Sequence, residues 1–339
     1  MEKVRWGVLS TAKIGLTQVI PAILRADNAE LLAIGSRGDK ARAIAGEMGI
    51  PKAYESYREL LADPDIDAVY IPLPNHLHKE WTLKAAAAGK HVLCEKPAAL
   101  TAGEAEEMVQ FCRSRNVKFA EAFMYQLHPQ HQRVKESMSS GEIGDIRLIK
   151  SSHSFYLADR DHNIRMQKNM GGGSLYDLGC YSIQVIRHLT GSEPLAVQAF
   201  AEVDEAGGVD MTAYGWMKLD NGVRALFDCS FDMVPRNEYE VIGTKGTIRV
   251  PYAFRPDLVG NVGTVIVQAA GEIRKEELAG DIYRLEVENF SQAVLDDREP
   301  WISGESTIRN MQVLEACYRS IAEGKAVQLG EGAGNANDH

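Results

Sequence analysis

The chain has 339 residues, 45% hydrophobic and 25% charged, which are typical values for a globular protein large enough for two domains. Its net charge of -10, with no lysine- or arginine-rich run, argues against binding to nucleic acid. No stretch has the roughly 18 successive apolar residues of a membrane span, and residues 1–7 lack the apolar core of a signal peptide. The five cysteines lack CxxC spacing, so we expect reduced thiols in a soluble, cytoplasmic protein without a membrane partner.

Strand-like and helix-like runs alternate over the first third of the chain. The pattern predicts strands at residues 4–9, 31–35, 68–73, 91–95 and 118–123, and helices at 14–25, 38–48, 77–88 and 102–115. Such alternation predicts a parallel sheet with right-handed crossovers, and we assign residues 1–123 to this first domain.

The first strand-to-helix turn matches the dinucleotide fingerprint G-x-G-x-x-G, with Ser10, Ala12 and Gly15 at the three glycine positions. Small residues still allow the backbone to approach a pyrophosphate, and the helix N-terminus supplies free N–H groups. The Ser10 and Thr11 hydroxyls add possible donors, and Ile14 completes the turn. The context therefore predicts a cofactor-binding turn although two glycines are replaced.

The second predicted strand ends in Ser36-Arg37, where an acidic residue would bind the ribose 2′-hydroxyl of NAD. A carboxylate would repel a 2′-phosphate, whereas Arg37 can pair with it and Ser36 can donate a hydrogen bond. The pair favours NADP over NAD, with NAD still possible. The alternative is that Arg37 is an exposed arginine in a turn.

The loop from Ile71 to His78 contains two prolines, which predict a stiff connection, and Asn75 is a candidate N-cap of the next helix. His76 and His78 have no third ligand nearby, so we expect no metal site.

An apolar run at residues 92–94 ends abruptly in Glu95-Lys96-Pro97. Carboxyl ends of parallel strands face the ligand crevice of an open sheet, so this charged pair is a candidate site. The alternative is a solvated loop that begins one residue early.

The pattern changes after Phe123, and we assign residues 124–329 to a second, α+β domain. A strand at 146–155, a hairpin turn at residues 220–222 and further turns near 243–246 and 260–263 predict a large, mostly antiparallel sheet. We expect one face to pack on helices and the other, with tyrosine, tryptophan and methionine side chains, to form a homodimer or homotetramer interface. Helices at 282–296 and 305–323 close the chain, and the tail 330–339 is predicted to be disordered.

Three successive glycines, residues 171–173, lead into a helix at 174–189. Asp177 and Tyr181 lie at i and i+4, so they share one face of that helix. One interpretation is functional. The other is an ordinary core tyrosine whose hydroxyl is satisfied by Asp177.

Taken together, these motifs resemble the glucose-fructose oxidoreductase, inositol dehydrogenase and rhizopine-catabolism protein family, usually called Gfo/Idh/MocA. The resemblance spans nearly the whole chain, and five motifs occur in the family's order. They are the modified fingerprint through Gly15, residues 74–78, residues 95–97, residues 121–124 with Pro129, and residues 171–173 followed by 177–181. The closest similarity is to the branch of glucose-fructose, xylose and trans-dihydrodiol dehydrogenases, because of Ser10-Thr11-Ala12, Ser36-Arg37 and Tyr181.

The resemblance implies an N-terminal Rossmann domain, a C-terminal domain with an open sheet, and NADP-dependent hydride transfer on a sugar, sugar derivative or cyclic polyol. A proton must then move to or from the substrate oxygen. Tyrosine, with an ordinary pKa of about 10, needs a nearby cation to act as a base at neutral pH. We therefore assign Tyr181 as the proton donor or acceptor and Lys96 as its electrostatic partner and a ligand of the substrate oxygen. Asp177 is assigned as the group that orients a substrate hydroxyl or the lysine.

The family pattern also implies that Leu73, Pro74, Asn75, His78, Glu95 and Lys96 contact the cofactor, with a cis bond before Pro97. The polar segment 156–170 suits a polyhydroxyl substrate, and Tyr156 and Arg165 are its candidate ligands. Gln126 departs from the family, since many relatives have arginine there, which leaves the contacts at that position open. The alternative function is a catalytically silent dinucleotide-binding regulator of the same fold.

Overall fold

The computed structural model describes residues 2–161 and 163–330. The chain forms two compact units: residues up to Met124 together with Asp281–Met311, and Tyr125–Gly280 together with the chain from Gln312 onward. The domain boundary after Phe123 stays a prediction, and residues 281–311, which that prediction placed in the second domain, cluster with the first unit. The predicted disordered tail lies, beyond Gly330, outside the described residues.

The sheet of the first unit has six strands in the order β3-β2-β1-β4-β5-β6, and all its neighbours are parallel. Its strands are β1 Val4–Leu9, β2 Ala29–Gly35, β3 Lys52–Tyr54, β4 Ala68–Ile71, β5 His91–Glu95 and β6 Phe119–Ala122. This is the order of a doubly wound dinucleotide-binding sheet, so the predicted Rossmann architecture is confirmed. Strand β3 was not predicted because it has only three residues, none of them buried.

The α-helices of the described residues follow the predicted positions closely. They are α1 Ile20–Arg25, α2 Lys40–Met48, α3 Tyr57–Ala62, α4 His78–Ala87, α5 Ala102–Ser114, α6 Pro129–Ser139, α7 Cys180–Thr190, α8 Ile282–Leu295 and α9 Gly304–Glu323. Helix α3 was missed because it is only six residues long. Helix α8 belongs to the first unit, where the indole of Trp6 in β1 donates to the Ser291 hydroxyl at 3.1 Å.

The sheet of the second unit has nine strands in the order β14-β13-β12-β11-β7-β10-β9-β8-β15. They are β7 Ile146–Tyr156, β8 Pro194–Val203, β9 Asp210–Leu219, β10 Arg224–Ser230, β11 Asp232–Gly243, β12 Gly246–Val250, β13 Val262–Ala269, β14 Glu272–Ala279 and β15 Val327–Gln328. Only the β7–β10 pair is parallel, so the mostly antiparallel sheet is confirmed. The hairpin at residues 220–222 also forms, with Gly222 at a φ of 83°.

The two faces of this sheet differ within the second unit. Helix α7 packs on β7 and β10, while Phe200, Tyr214 and Leu226 on the opposite face are exposed by 44%, 47% and 44%. The rings of Phe200 and Tyr214 stack at 5.6 Å. Met211 and Met217 are buried, so these two methionines do not lie on the open face.

All five cysteines are buried and free. Among residues 2–161 and 163–330, no helix has the length and hydropathy that crossing a membrane requires.

Candidate active site

The turn after β1 places a serine in a glycine conformation. Ser10 has a φ of 145°, a region that residues with a Cβ rarely adopt, and it stands at the first glycine position of the fingerprint. Its Oγ accepts a hydrogen bond from the Ala12 N–H at 3.0 Å. The hydroxyl therefore stabilises the turn and keeps its own proton for donation to a ligand.

The helix that follows opens with a π-helical turn, Gly15–Val19, before α1 begins. A Cβ added to Gly15 would lie 3.6 Å from Pro72 and 3.7 Å from Tyr70, which is ordinary van der Waals contact. The third fingerprint position therefore accepts a small side chain. Thr11, Ala12 and Ile14 are half-buried between these two anchors.

The end of β2 carries the predicted 2′-phosphate pair. Ser36 is buried, and Arg37 is exposed beside it. Within the described part of the chain, the Arg37 guanidinium makes no ion pair or side-chain hydrogen bond. A cation left without a partner at this strand end fits an anionic ligand group, although an exposed turn arginine would have the same surroundings.

The proline loop is held by a buried histidine. The His78 Nδ1 lies 2.8 Å from the Pro97 carbonyl and its Nε2 lies 2.7 Å from the Leu73 carbonyl. Burial lowers the pKa of His78 to about 4, so the ring is neutral at pH 7 and donates to only one of the two carbonyls. His78 thus ties the loop to the turn after β5 and has no nitrogen left for a metal or a cofactor.

Asn75 is not the N-cap that the sequence suggested. It begins a short 3₁₀ turn, Asn75–Leu77, and α4 starts only at His78 without a side-chain cap. Pro74 itself is extended, with a φ of -57° and a ψ of 144°, because its ring fixes φ near this value. Leu73 is buried, while Pro74 and Asn75 remain half-buried.

Two carboxylates fix the turn at Glu95-Lys96-Pro97. The Tyr70 hydroxyl donates to Glu95 Oε1 at 2.5 Å, and the Ala98 N–H donates to Glu121 Oε1 at 2.9 Å. The Lys96–Pro97 peptide bond is cis, as the family resemblance implied. The charged strand end is therefore a braced turn and not a solvated loop.

A buried acid that we did not predict adjoins this turn. Glu286 of α8 is 3% exposed, its Oε1 has no hydrogen-bond partner among the described residues, and burial together with the charge of Glu95 raises its pKa well above the usual range. A protonated carboxyl group at this position stabilises the Glu95 carboxylate by removing a like charge. The sequence could have indicated this residue, because Glu286 lies on the apolar face of α8.

In the second unit, Tyr181 lies in an aromatic cluster. Its ring centroid lies 5.7 Å from Tyr125, 5.1 Å from His153 and 5.4 Å from Phe254, and the side chain is 5% exposed. A π-helical turn, Leu175–Gly179, precedes α7, so the spacing between Asp177 and Tyr181 includes a wider turn than the expected α-helix.

Arg165 joins the predicted substrate segment to this helix. Its Nε donates to Asp177 Oδ2 at 2.6 Å, and its guanidinium lies 5.8 Å from the Phe155 ring. The pKa of Arg165 is raised, chiefly by the charge of Asp177 and to a smaller extent by Tyr181. Tyr156 follows Phe155 on the strand and faces the other side of the sheet, so the structure does not bring the two predicted substrate ligands together.

Asp210 is a second residue that we did not predict. It accepts hydrogen bonds from the Leu175 N–H at 2.6 Å, the Ser174 hydroxyl at 2.8 Å and the Tyr318 hydroxyl at 2.9 Å. It thereby caps the helix that carries Tyr181 from the neighbouring strand β9. Burial raises the pKa of this carboxyl despite its three hydrogen bonds.

Lys96 belongs to the first unit, and Asp177 and Tyr181 belong to the second, so their pairing stays a prediction. In the described ranges, no group of three or more His, Cys, Asp or Glu side chains is arranged to hold a metal ion.

The doubly wound sheet and its fingerprint turn define a dinucleotide-binding domain. A model of an oxidoreductase family with an NAD-binding Rossmann fold matches residues 4–123, and a model of the GFO/IDH/MocA C-terminal domain matches residues 131–249. The chain belongs to the Gfo/Idh/MocA family, which confirms the resemblance read from the sequence.

Proteins named for an enzymatic activity align with nearly the whole chain. A D-xylose 1-dehydrogenase (NADP(+)) from Haloferax volcanii is 38% identical over 325 residues, 96% of this chain and 99% of the relative. An aldose-aldose oxidoreductase from Caulobacter crescentus, solved with glycerol, superposes with a TM-score of 0.90 at 27% identity and covers 97% and 100% of the two chains. A 3-ketoreductase from Actinomadura kijaniata, solved with NADP and TDP-benzene, has a TM-score of 0.89 at 30% identity over 94% and 98%.

Proposed function

We propose that this protein transfers a hydride between NADP and a hydroxyl or carbonyl carbon of a sugar, a sugar derivative or a cyclic polyol. The observation that carries the proposal is the helix start at residues 175–181, where Asp177, fixed by Arg165, precedes Tyr181 in an otherwise aromatic and apolar environment. A buried tyrosine next to a braced ion pair is suited to acid and base chemistry on a hydroxyl group.

The cofactor side of the proposal rests on the first unit. Ser10, Thr11, Ala12, Ile14 and Gly15 form the turn that receives the pyrophosphate. Arg37 and Ser36 bind the 2′-phosphate, which makes NADP the preferred cofactor. Leu73, Pro74, Asn75 and Glu95 line the nicotinamide end, while His78 acts indirectly by fixing Leu73 and Pro97.

When bound, NADP supplies or accepts the hydride. In the proposed mechanism, Tyr181 exchanges a proton with the substrate oxygen, and Lys96 provides positive charge that favours its phenolate. Asp177 orients a substrate hydroxyl or the Lys96 ammonium. Arg165 is the substrate-facing residue of segment 156–170, because its guanidinium is half-exposed beside Asp177.

The relatives support a sugar-like substrate. The names of the xylose dehydrogenase and of the aldose-aldose oxidoreductase both specify sugars, and solved forms of the A. kijaniata ketoreductase include tyrosine and lysine variants. Tyrosine and lysine are the residue types of the proposed pair.

The decisive experiment is a spectrophotometric screen of aldoses, ketoses, inositols and cyclic diols with NADP and NAD in parallel. We expect substrate-dependent change in nicotinamide absorbance with at least one aldose or cyclic polyol, faster with NADP. Tight NADP binding without turnover of any compound would favour the silent regulator and contradict the proposal. Faster turnover with NAD would contradict the cofactor assignment alone.

We further propose that the open face of the second sheet forms a homodimer or homotetramer interface. Phe200, Tyr214 and Leu226 form its exposed apolar part. Light scattering on the full-length protein tests this directly, and a monomer at micromolar concentration would contradict it.

A further inference from the structure

Arg165 is fixed at three points, although it lies in an exposed segment. Its side chain donates to Asp177, its N–H donates to Asn163 Oδ1 at 3.1 Å, and its carbonyl accepts from the Gly173 N–H at 2.9 Å. Ile164 beside it is exposed. The guanidinium therefore keeps a defined position next to the helix start.

The glycine triplet makes this attachment possible. A Cβ on Gly172 would lie 2.5 Å from the Arg165 carbonyl oxygen, and a Cβ on Gly173 would lie 2.2 Å from Asp210 Oδ1. Both approaches exclude any side chain. The backbone of Arg165, the glycines and the capped helix start thus form one rigid arrangement.

The charges around Tyr181 connect this arrangement to the ionisation of the Tyr181 phenol. Asp177, on the same helix start, is an anion that opposes ionisation of the Tyr181 phenol. Of the rings around Tyr181 in the second unit, those of Tyr125 and His153 are titratable, and that of Phe254 is uncharged. Arg165 bonds to Asp177 and is itself stabilised by an ionised Tyr181, an attraction that is mutual.

We propose that Arg165 is a positioning residue for proton transfer: its guanidinium neutralises Asp177 beside Tyr181 and so makes the phenolate of Tyr181 accessible closer to neutral pH. This inference rests on the proposed function for its catalytic meaning. The predicted effect on the ionisation of Tyr181 does not depend on that function, and it can be measured in the protein without substrate.

The test is an ultraviolet titration of phenolate absorbance on the full-length protein. Subtracting the Y181F titration from that of the parent isolates the ionisation of Tyr181, and R165Q and R165K are each paired with their own Y181F double variant. We expect R165Q to raise the Tyr181 midpoint by about one pH unit, and R165K, which keeps the charge, to restore most of the shift. An unchanged midpoint in R165Q, or equal shifts in R165Q and R165K, would overturn the proposal.

The carboxylate provides an independent check. D177N leaves Arg165 without its partner, so the Tyr181 midpoint should fall, and R165Q/D177N should return near the parent value. If R165Q does not fold, D177N alone decides, since a raised or unchanged midpoint contradicts the model.

H153Q is titrated in parallel and should not reproduce the R165Q shift. If the substrate screen finds a substrate, we expect the pH profile of kcat/KM in R165Q to shift upward, as the Tyr181 midpoint does. If the screen finds none, the titration still tests the effect of Arg165 on Tyr181.

Discussion

The turn after β1 and the loop before α7 solve one structural problem in two ways. Each leads through small residues into a helix that begins with a π-helical turn, Gly15–Val19 in the first unit and Leu175–Gly179 in the second. The first turn is stabilised from within, by the Ser10 hydroxyl on the Ala12 N–H. The second is stabilised from a distance, by Asp210 of β9, which is 35 residues away from Leu175 along the chain.

The difference matches the two proposed tasks, phosphate binding and proton transfer. Backbone N–H groups and a helix N-terminus suffice for a phosphate, so a local turn can build the whole binding element. Proton transfer depends on the charge state of a few side chains, which must be fixed by groups that share a buried environment. The second region therefore draws its parts from β9, α9 and the segment before the glycines.

The largest expected effect is a loss of kcat from a change in the second region that leaves NADP binding by the first region unchanged. Tyr181→Phe should lower kcat by a factor of about 10² to 10⁴, because the proton donor is lost, while NADP binding stays unchanged. Steady-state kinetics and quenching of protein fluorescence by NADPH measure the two quantities. Tyr214→Phe, on the open sheet face, is the control. An unaltered kcat in the Tyr181 variant would remove this residue from the mechanism.

Removing the distant cap should disturb the second region only. Asp210→Ala deletes three hydrogen bonds at the start of the helix and should cost about 3 kcal/mol of unfolding free energy. Tyr318→Phe removes one of them and should cost about 1 kcal/mol. Urea denaturation gives both values, and NADP affinity of the folded variants should equal that of the parent. A large loss of NADP affinity would show that the regions are not separable.

Arg37→Ala tests the first region. Loss of a charged hydrogen-bond partner for the 2′-phosphate should weaken NADP binding by about 10- to 100-fold and leave NAD binding nearly unchanged. Arg42→Ala, an exposed arginine that pairs with Glu55 in the same unit, is the matched control. Equal loss for both cofactors would mean that Arg37 has a structural role.

Acid should weaken the second region more than the first. Burial lowers the pKa of His128 and His131 and brings that of His188 to about 3. In the first unit, burial lowers the pKa of His78 to about 4 and also lowers that of His91. The unfolded chain takes up protons below about pH 6.5, so the stabilisation is complete above that pH and is lost as the pH falls toward about 4. Hydrogen exchange near pH 7 and near pH 5 should show protection lost first around α6 and α7, and uniform loss would contradict this.

The smallest effect concerns the conformation of Ser10. Ser10→Gly and Ser10→Ala both lose the hydroxyl, but only alanine retains the strain of a φ near 145°. The glycine variant should therefore be more stable than the alanine variant by about 1–2 kcal/mol, while remaining close to the parent protein. Thermal and urea unfolding of the pair measure this difference. Equal stabilities would show that the turn relaxes without cost.

What could be predicted from the sequence follows the same division. The alternation of strands and helices, the fingerprint and Ser36-Arg37 are local patterns, and the family and fold expectations drawn from them are confirmed. Asp210 was missed because its partner Tyr318 is 108 residues away and nothing local marks either residue. Asn75 was misread because it begins a 3₁₀ turn after Pro74, where the polar side chain suggested a helix cap.

The triple glycine also has a consequence for protein engineering. The segment between Tyr156 and Gly171 starts at a strand end and ends at glycines that close-pack against the helix start, so its two junctions are fixed by the scaffold. Arg165 is its link to Asp177. Under the proposed function, the described residues of this segment other than Arg165 are positions where substitution would alter substrate choice, while the helix that carries Tyr181 stays in place.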